Sequence, residues 1–399
     1  MERAALGKSL HALQELLKDE LRRAKRRQDG SRKACRFLER EIERADSIEQ
    51  HLEREDLECA VVGITKAGKS TIVNALIGDE VLPVSNIPAT AVSIKVRHSE
   101  FSSEPRLLEP TPVVGTLAVQ QTLHAICSET RDTSQVNGRP VVEARFSCFK
   151  GSTPSTGSPN PSLVDTPGVT EASGSRLTEA TLNAVESADV VLLVLNYGNL
   201  KTEAERQFLS DFARRRPDFF LRGTGRLLCI LTRMDLRNRN GVSVGEVAEY
   251  LRDHVSASLQ KSLPEFAARI FPLKAELALL GRLAARGHFD RQDQAADYMR
   301  YLYGRQGRKN APTGAQLRQL GATSVELSGL EAIEVVLQNA ATHANDVRSD
   351  SVRSRLINAL NRSCRWSSYS TGKAFAPEVV SLRDDVLHGP KPPQKKRVS

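Results

Sequence analysis

The sequence predicts an α/β architecture: a mostly parallel sheet between helices, with a helical bundle contributed by both termini at its flank. Three observations predict it. Apolar runs alternate with helical patterns through the middle of the chain. A glycine-rich turn joins the first of those runs to a helix. Leucine stripes at helical spacing occupy the two ends.

The ends come first. Leu10, Leu13, Leu17 and Leu21 repeat at the spacing of one helix face on a highly charged background. Asp29–Ser31 ("DGS") interrupts the pattern, and a second stripe follows at Leu38, Ile42, Ala45, Ile48 and Leu52. Residues 1–56 are therefore expected to be helical, with a narrow apolar face that needs a partner. Towards the other end, Ser328 and Glu331 form a capping box. Apolar or small residues follow at Leu330, Ile333, Leu337, Ala340, Ala344 and Val347, then at Val352, Leu356 and Leu360. Residues 339–375 are expected to pack on the N-terminal helices. Residues 376–399, ending in "HGPKPPQKKRVS", read as a basic, disordered tail.

The middle, 57–338, holds strand candidates at "ECAVVGI", "AVSIKV", "VVEARFSCF", "SLVDT", "DVVLLVL", "RLLCILT" and "RIFPL". Such alternation means parallel strands covered by helices, with ligands at the carboxyl ends of the strands. "KGSTPSTGSPNP" (150–161) and "YGRQGRKNAPTGAQ" (303–316) read as surface loops.

A chain of 399 residues with 40% hydrophobic composition can bury a sizeable core. Its net charge of +9 is uneven: residues 1–56 hold 14 Lys+Arg against 13 Asp+Glu, and residues 343–399 hold 11 against 5. A basic C-terminal region suits an anionic membrane or nucleic acid, and equally suits plain solubility. The six cysteines, Cys35, Cys59, Cys127, Cys148, Cys229 and Cys364, show no paired spacing, which speaks for a reducing compartment and against a disulfide framework or zinc site. The start, "MERAALGKSLHALQ", is no signal peptide, and no window reaches the roughly eighteen apolar residues of a membrane span. A cytoplasmic protein, at most peripheral to a membrane, is expected. The eight histidines form no HExxH or triad order, and Trp366 reads as a packing residue.

The chemistry lies in the middle. Gly63–Ser70 satisfies GxxxxGK[ST] between an apolar strand and a helix, the context that makes this a phosphate-binding loop. Gly63 and Gly68 let the backbone approach phosphates, Ala67 lies between them, and the N–H groups at the helix start face the anion. Lys69 supplies a cation to the β and γ phosphates, Ser70 ligates Mg²⁺ through its hydroxyl, and Thr71 continues the helix. In the loop "NIPATAVSI", Thr90 is placed to complete the Mg²⁺ shell and hold the attacking water. In "SLVDTPGV", Asp165 at a strand end reaches Mg²⁺ through water and Gly168 offers its N–H to the γ phosphate.

DxxG downstream of GxxxxGKS moves the reading from nucleoside triphosphatases in general to a GTPase. "ILTRMDL" then ends a strand on Thr232-Arg233-Met234-Asp235, where a guanine-reading [NT]-K-x-D belongs. A carboxylate at Asp235 accepts from both the ring N–H and the exocyclic amine of guanine, a pairing adenine does not offer. The stem of Arg233 can lie along the base as a lysine stem does.

The run "GITKAGKSTIVNALIGDEVLPVSNIPATAVSIKV", with LVDTPG, ADVVLLVL and the Thr-x-x-Asp motif, resembles the P-loop GTPase domain of the dynamin superfamily, most closely that of bacterial dynamin-like proteins. "LPVSNIPAT" resembles that family's switch loop, and "FPLKAELAL" its last nucleotide-binding segment, with Lys274 where the family usually has serine. The resemblance implies GTP hydrolysis with Mg²⁺, a homodimer formed through the nucleotide face, and a neck bundle built from the two helical ends. It also bears on Lys66, a second lysine in the loop. The position after DxxG is Val169, which cannot orient water, so hydrolysis needs help from elsewhere. At the place of Lys66 dynamins carry a serine, many bacterial members a lysine, and guanylate-binding proteins an arginine finger. By resemblance Lys66 offsets charge over the β and γ phosphates; the alternative is a solvated lysine that meets a partner molecule's switch loop.

About sixty residues follow position 338, too few for the long stalk of a full dynamin. Two readings stay open. In one, a dynamin-like GTPase couples hydrolysis to neck movement on a membrane or on a stalk-bearing partner chain. In the other, a nucleotide-gated switch contacts nucleic acid or an acidic protein through its basic C-terminal region, including "PKPPQKKR" at 390–397.

Overall fold

A computed structural model of the chain describes residues 2–26, 32–84, 92–133, 139–149, 159–168, 179–221, 226–236, 241–261, 263, 269–287, 289, 292–304, 312–369 and 375–388. The chain opens with α1 (Glu2–Arg26) and α2 (Arg32–Glu53), followed by β1 (Asp56–Gly63), α3 (Lys69–Ile77), β2 (Ile94–His98), β3 (Arg106–Glu109) and β4 (Val113–Val114). Next come α4 (Thr116–Thr133), β5 (Val141–Ala144), β6 (Asn160–Asp165), α5 (Glu179–Ser187), β7 (Val190–Asn196), α6 (Glu203–Arg215) and α7 (Asp218–Leu221). The remainder is β8 (Leu227–Thr232), α8 (Val244–Leu259), β9 (Ile270–Pro272), α9 (Ala275–Ala284), α10 (Gln292–Tyr303), α11 (Gly314–Ser328), α12 (Leu330–Thr342), α13 (Ala344–Tyr369) and α14 (Phe375–His388). Two compact units result: residues 56–344, and residues 1–55 together with 345–399.

The unit of 56–344 is built on a nine-stranded sheet in the order β4-β3-β5-β2-β6-β1-β7-β8-β9. The strands β6, β1, β7, β8 and β9 run parallel; β2 is antiparallel to β6 and parallel to β5, and β3 pairs antiparallel with both β5 and β4. Every residue of β1 and of β7 is buried, as their near-continuous Val/Leu/Ala runs require of strands covered on both faces. Asp56 and Glu58 are tolerated inside β1 because Lys95 reaches both carboxylates, at 2.6 and 3.4 Å. The parallel register pairs Val61 with Asp165, Gly63 with Val194, and Asn196 with Thr232. The carboxyl ends of β1, β6, β7 and β8 therefore share one edge of the sheet.

The expected strands are present with shifted or trimmed ends. The run "VVEARFSCF" is a strand only to Ala144. Beyond it Phe146 and Phe149 turn inward, each with its ring 5.2 Å from that of His98. β3 and β4 were not anticipated; they are four and two residues long and carry no extended apolar alternation.

In the other unit, Leu10, Leu13 and Leu17 of α1, Leu38, Ala45 and Ile48 of α2, and Val352, Leu356 and Leu360 of α13 form one buried cluster, as the stripes require. Burying each of the Leu, Ile and Val side chains contributes about 1.5–3 kcal/mol. Two buried charged groups inside find partners: Glu41 accepts from Arg362 Nε at 3.1 Å on both oxygens, and Arg348 donates to the carbonyls of His51 and Arg54, each at 2.9 Å, closing the C-terminal end of α2. Trp366 stacks on Phe37 at 5.2 Å.

Three expectations are corrected. Residues 375–388 are helical, not a disordered tail: Val379 and Val386 of α14 enter the buried cluster. Only 389–399 of the expected tail lie outside the described residues. A boundary at 338 would cut through α12, which belongs with the sheet in the unit ending at Ala344. No capping box forms at Ser328 and Glu331. The Ser328 hydroxyl donates to Val325 O at 2.6 Å and accepts from Leu330 N at 3.1 Å, and the N-cap of α12 is Gly329.

Candidate functional site

Residues 64–68 link β1 to α3 at the shared edge. Gly68, at φ 91° and ψ 21°, is the N-cap of α3, a left-handed backbone that glycine adopts without steric cost. It offers no side-chain cap, so the first N–H groups of α3 are left for an anion. Gly63 has a different task from the one its motif implies. A Cβ there would lie 2.4 Å from the carbonyl oxygen of Val194, so this glycine lets β1 and β7 approach each other.

Lys69 is buried, and its ammonium donates to the carbonyls of Gly63 at 3.2 Å and Ile64 at 3.0 Å. Burial pulls its pKa down to about 8, and the nearby Asp165 carboxylate acts in the opposite direction. Two neutral carbonyls are weak compensation for a dehydrated cation. The environment favours an anion at that point.

Ser70, one residue on, donates its hydroxyl to Asp165 Oδ2 at 2.6 Å, and Asp165 is wholly buried at the end of β6. A hydroxyl and a carboxylate side by side are a hard-oxygen pair of the kind Mg²⁺ takes, so these residues fit that ion. The end of β6 is pinned by the hydroxyls of Thr166, donating to Val61 O at 2.8 Å, and Thr181, donating to Pro167 O at 3.1 Å. Gly168 then lies hard against the loop: a Cβ would meet Thr65 Cα at 2.5 Å.

The loop is held from its other side by β7 and β8. The Thr232 hydroxyl lies 2.8 Å from Ala67 O and 3.1 Å from Leu195 O. This threonine therefore anchors the loop between β1 and α3. Asn196, which no motif singled out, places its amide 3.4 Å from Lys66 O. The one sequence signal for Asn196 is a polar residue ending an otherwise apolar strand. Lys66 itself is exposed and sits at φ 61°, where a residue with a Cβ is held at a cost of about 1–2 kcal/mol.

Arg233, exposed and also left-handed at φ 59°, leads into a short 3-10 turn, Met234–Leu236, closed by Leu236 N donating to Arg233 O at 3.1 Å. The backbone of Asp235 lies in that turn; its side chain is outside the described residues, as are Thr90 and Val169. Thr71 follows Ser70 on α3 and is half-buried. Lys274 is exposed at the N-terminal end of α9, beyond β9 and two strands from β7. Gly63, Lys66 to Thr71, Asp165, Gly168, Thr232 and Arg233 thus gather at one edge, and Lys274 stands at its far side.

A model of the dynamin family matches residues 59–234, the stretch that runs from β1 through the turn after β8. Over that stretch the chain matches the dynamin family. Among the proteins to which this chain is similar is an uncharacterised protein from the xynA 3′ region of Caldicellulosiruptor sp. (strain Rt8B.4). It is 25% identical over 241 residues, which cover 60% of this chain and 54% of the relative. The clamp-binding protein CrfC of Escherichia coli (strain K12) is 46% identical over 56 residues, 14% of this chain and 8% of CrfC. The chain thus spans about half, or less, of the length of these curated relatives. A solved oligomerised bacterial dynamin pair, linked to long-range sensing and tethering of membranes, aligns with 97% of this chain and 60% of its own. Its sequence identity is 15% and its TM-score 0.40, below what supports a structural argument. Among the described residues, no helix is long and apolar enough to cross a membrane.

Proposed function

We propose that this chain binds GTP with Mg²⁺ and hydrolyses it to GDP and phosphate, and that two copies meet through the nucleotide face during the cycle. The observation that carries the reading is the cluster of buried Lys69 with the Ser70–Asp165 pair at 2.6 Å, set at the carboxyl edge of a mostly parallel sheet. Lys69 and the first N–H groups of α3 bind the β and γ phosphates. Ser70 and Asp165 would hold Mg²⁺, with Thr90 as a third ligand; the ion neutralises charge on the phosphate oxygens when bound. The Gly168 N–H meets the γ phosphate. Asp235 reads guanine through its two donors, Arg233 lays its stem along the base, and Lys274 stands beside it.

Lys66 carries the charge term of the reaction. Val169 has no group to orient water, so hydrolysis needs help from elsewhere, and exposed Lys66 in the loop is the cation to which we assign it. In other GTPases a cation in this role, an arginine finger, is worth about 10³ to 10⁵ in rate. We assign residues 56–344 to the nucleotide cycle and the helical unit of both termini to a neck that moves with it, acting on a membrane or on a stalk-bearing partner chain in the cytoplasm.

The test is GTP turnover at rising protein concentration, for the parent chain and for Lys66→Ala. The parent's specific activity should climb as copies associate. Lys66→Ala should keep GDP affinity within about threefold while turnover falls at least about tenfold. Turnover unchanged in the variant would remove the role of Lys66, and specific activity independent of concentration would remove the dimer.

A further inference from the structure

Apolar residues fill β7 from Val190 to Leu195, and then the strand ends on an amide, Asn196, nine-tenths buried at the edge of the nucleotide site. The hydrolysis scheme above gives this side chain no part. Both of its ends are engaged. Oδ1 accepts from the backbone N–H of Gly198 at 3.0 Å and caps the short 3-10 turn Tyr197–Asn199. Since an NH₂ group cannot accept from an N–H, this bond fixes which way round the amide lies. Nδ2 is thereby directed at the phosphate loop, where it donates to Lys66 O at 3.4 Å.

The next carbonyl along, that of Ala67, is the one held by Thr232 at 2.8 Å. Two adjacent strand ends thus hold two consecutive carbonyls of the loop. The residue between β1 and Gly68 that adopts a strained left-handed backbone is Lys66, and its carbonyl is the one Asn196 holds. The support is itself anchored: Tyr197 donates its hydroxyl to Val242 O at 3.3 Å.

We propose that Asn196 is a positioning residue for hydrolysis, holding the Lys66 peptide in the left-handed conformation that presents its ammonium to the phosphates. The inference rests on the reading of Lys66 as the charge-offsetting group. Asn196 then sets turnover and leaves nucleotide affinity, which belongs to Lys69 and α3, almost untouched.

Asn196→Ala removes the cap and the clamp together. Asn196→Asp keeps an acceptor for Gly198 N–H and replaces the donor to Lys66 O with a charged oxygen that the carbonyl repels, so it breaks the clamp while sparing the cap and carries the test should the alanine variant fail to fold. GTP turnover at saturation and GDP affinity are measured for both, for Lys66→Ala and for Asn196→Ala/Lys66→Ala. Misplacement of a catalytic group by a fraction of its reach lowers rate by about 10- to 100-fold, and both Asn196 variants should show a loss of that size in turnover with GDP affinity within about threefold. In the Lys66→Ala background the second substitution should cost no further rate. Full turnover in Asn196→Asp, or an equal loss from Asn196→Ala with and without Lys66, overturns the inference while leaving the Lys66 reading in place. Unchanged turnover in Lys66→Ala alone overturns that reading and the inference with it.

Discussion

Replacing Gly168 by alanine probes how closely the end of β6 is built against the phosphate loop. The new Cβ would lie 2.5 Å from Thr65 Cα, 2.7 Å from Thr65 Oγ1 and 2.9 Å from Thr65 N. The hydroxyl can rotate away; the backbone atoms cannot. Carbon atoms reach comfortable contact only at about 3.5 Å, so the two segments must part by roughly 1 Å. Neither yields freely. The loop is held by Thr232 on Ala67 O, and the strand end by Thr166 on Val61 O, each at 2.8 Å. Overpacking of this kind costs about 1–3 kcal/mol, or roughly 5- to 150-fold in an equilibrium constant. If the Gly168 N–H meets the γ phosphate, the loss falls on the triphosphate complex. Isothermal titration with Mg²⁺ should show a non-hydrolysable GTP analogue weakened by that factor and GDP by no more than about threefold. Equal losses for both nucleotides, or none for either, would refute the placement of Gly168.

Two further outcomes can be checked on the nucleotide-free chain. Thr232→Val exchanges a hydroxyl for a methyl of the same shape and leaves the Ala67 carbonyl without that donor. Urea unfolding should lose about 1–3 kcal/mol and GDP affinity should fall with it; an unchanged midpoint would show that the hydroxyl does not hold the loop. Glu205 is buried on α6, and burial raises its carboxyl to about 7 from an ordinary 4.5, although Lys201 N–H, Arg206 and Tyr250 all act to lower it. The folded chain therefore keeps a proton that the unfolded chain has lost between those values. Stability should decline as pH rises from 4.5 towards 7, by up to about 3 kcal/mol, and level off above. Glu205→Gln should abolish that slope; a slope that survives the substitution belongs to another group.

The fold was legible where local pattern and tertiary burial agree. β1 and β7 declare themselves because strands buried on both faces must be apolar throughout, and α1, α2 and α13 because their leucines recur on one face. α14 was hidden by the composition of the basic segment after it, although Val379, Leu382 and Val386 already carry a helical spacing and pack on the cluster. β3 and β4 are too short for periodicity to show. The Ser328–Glu331 spacing matched a cap, but the Ser328 hydroxyl is taken by Val325 O at the end of the preceding helix, a bond no spacing announces. At the site, motif residues could be named because phosphate binding demands particular chemistry at fixed intervals. Asn196 and the second role of Thr232 could not. They act on backbone carbonyls brought near by parallel register, more than a hundred residues away in sequence.

The most direct measurement is a paired titration of the nucleotide-free chain with GDP and with ADP, both with Mg²⁺, repeated on Asp235→Asn. A carboxylate that pairs with guanine's two donors predicts tight GDP binding, ADP weaker by at least about a hundredfold, and loss of that discrimination in the variant. Equal affinity for the two nucleotides in the parent chain would contradict a guanine-specific site.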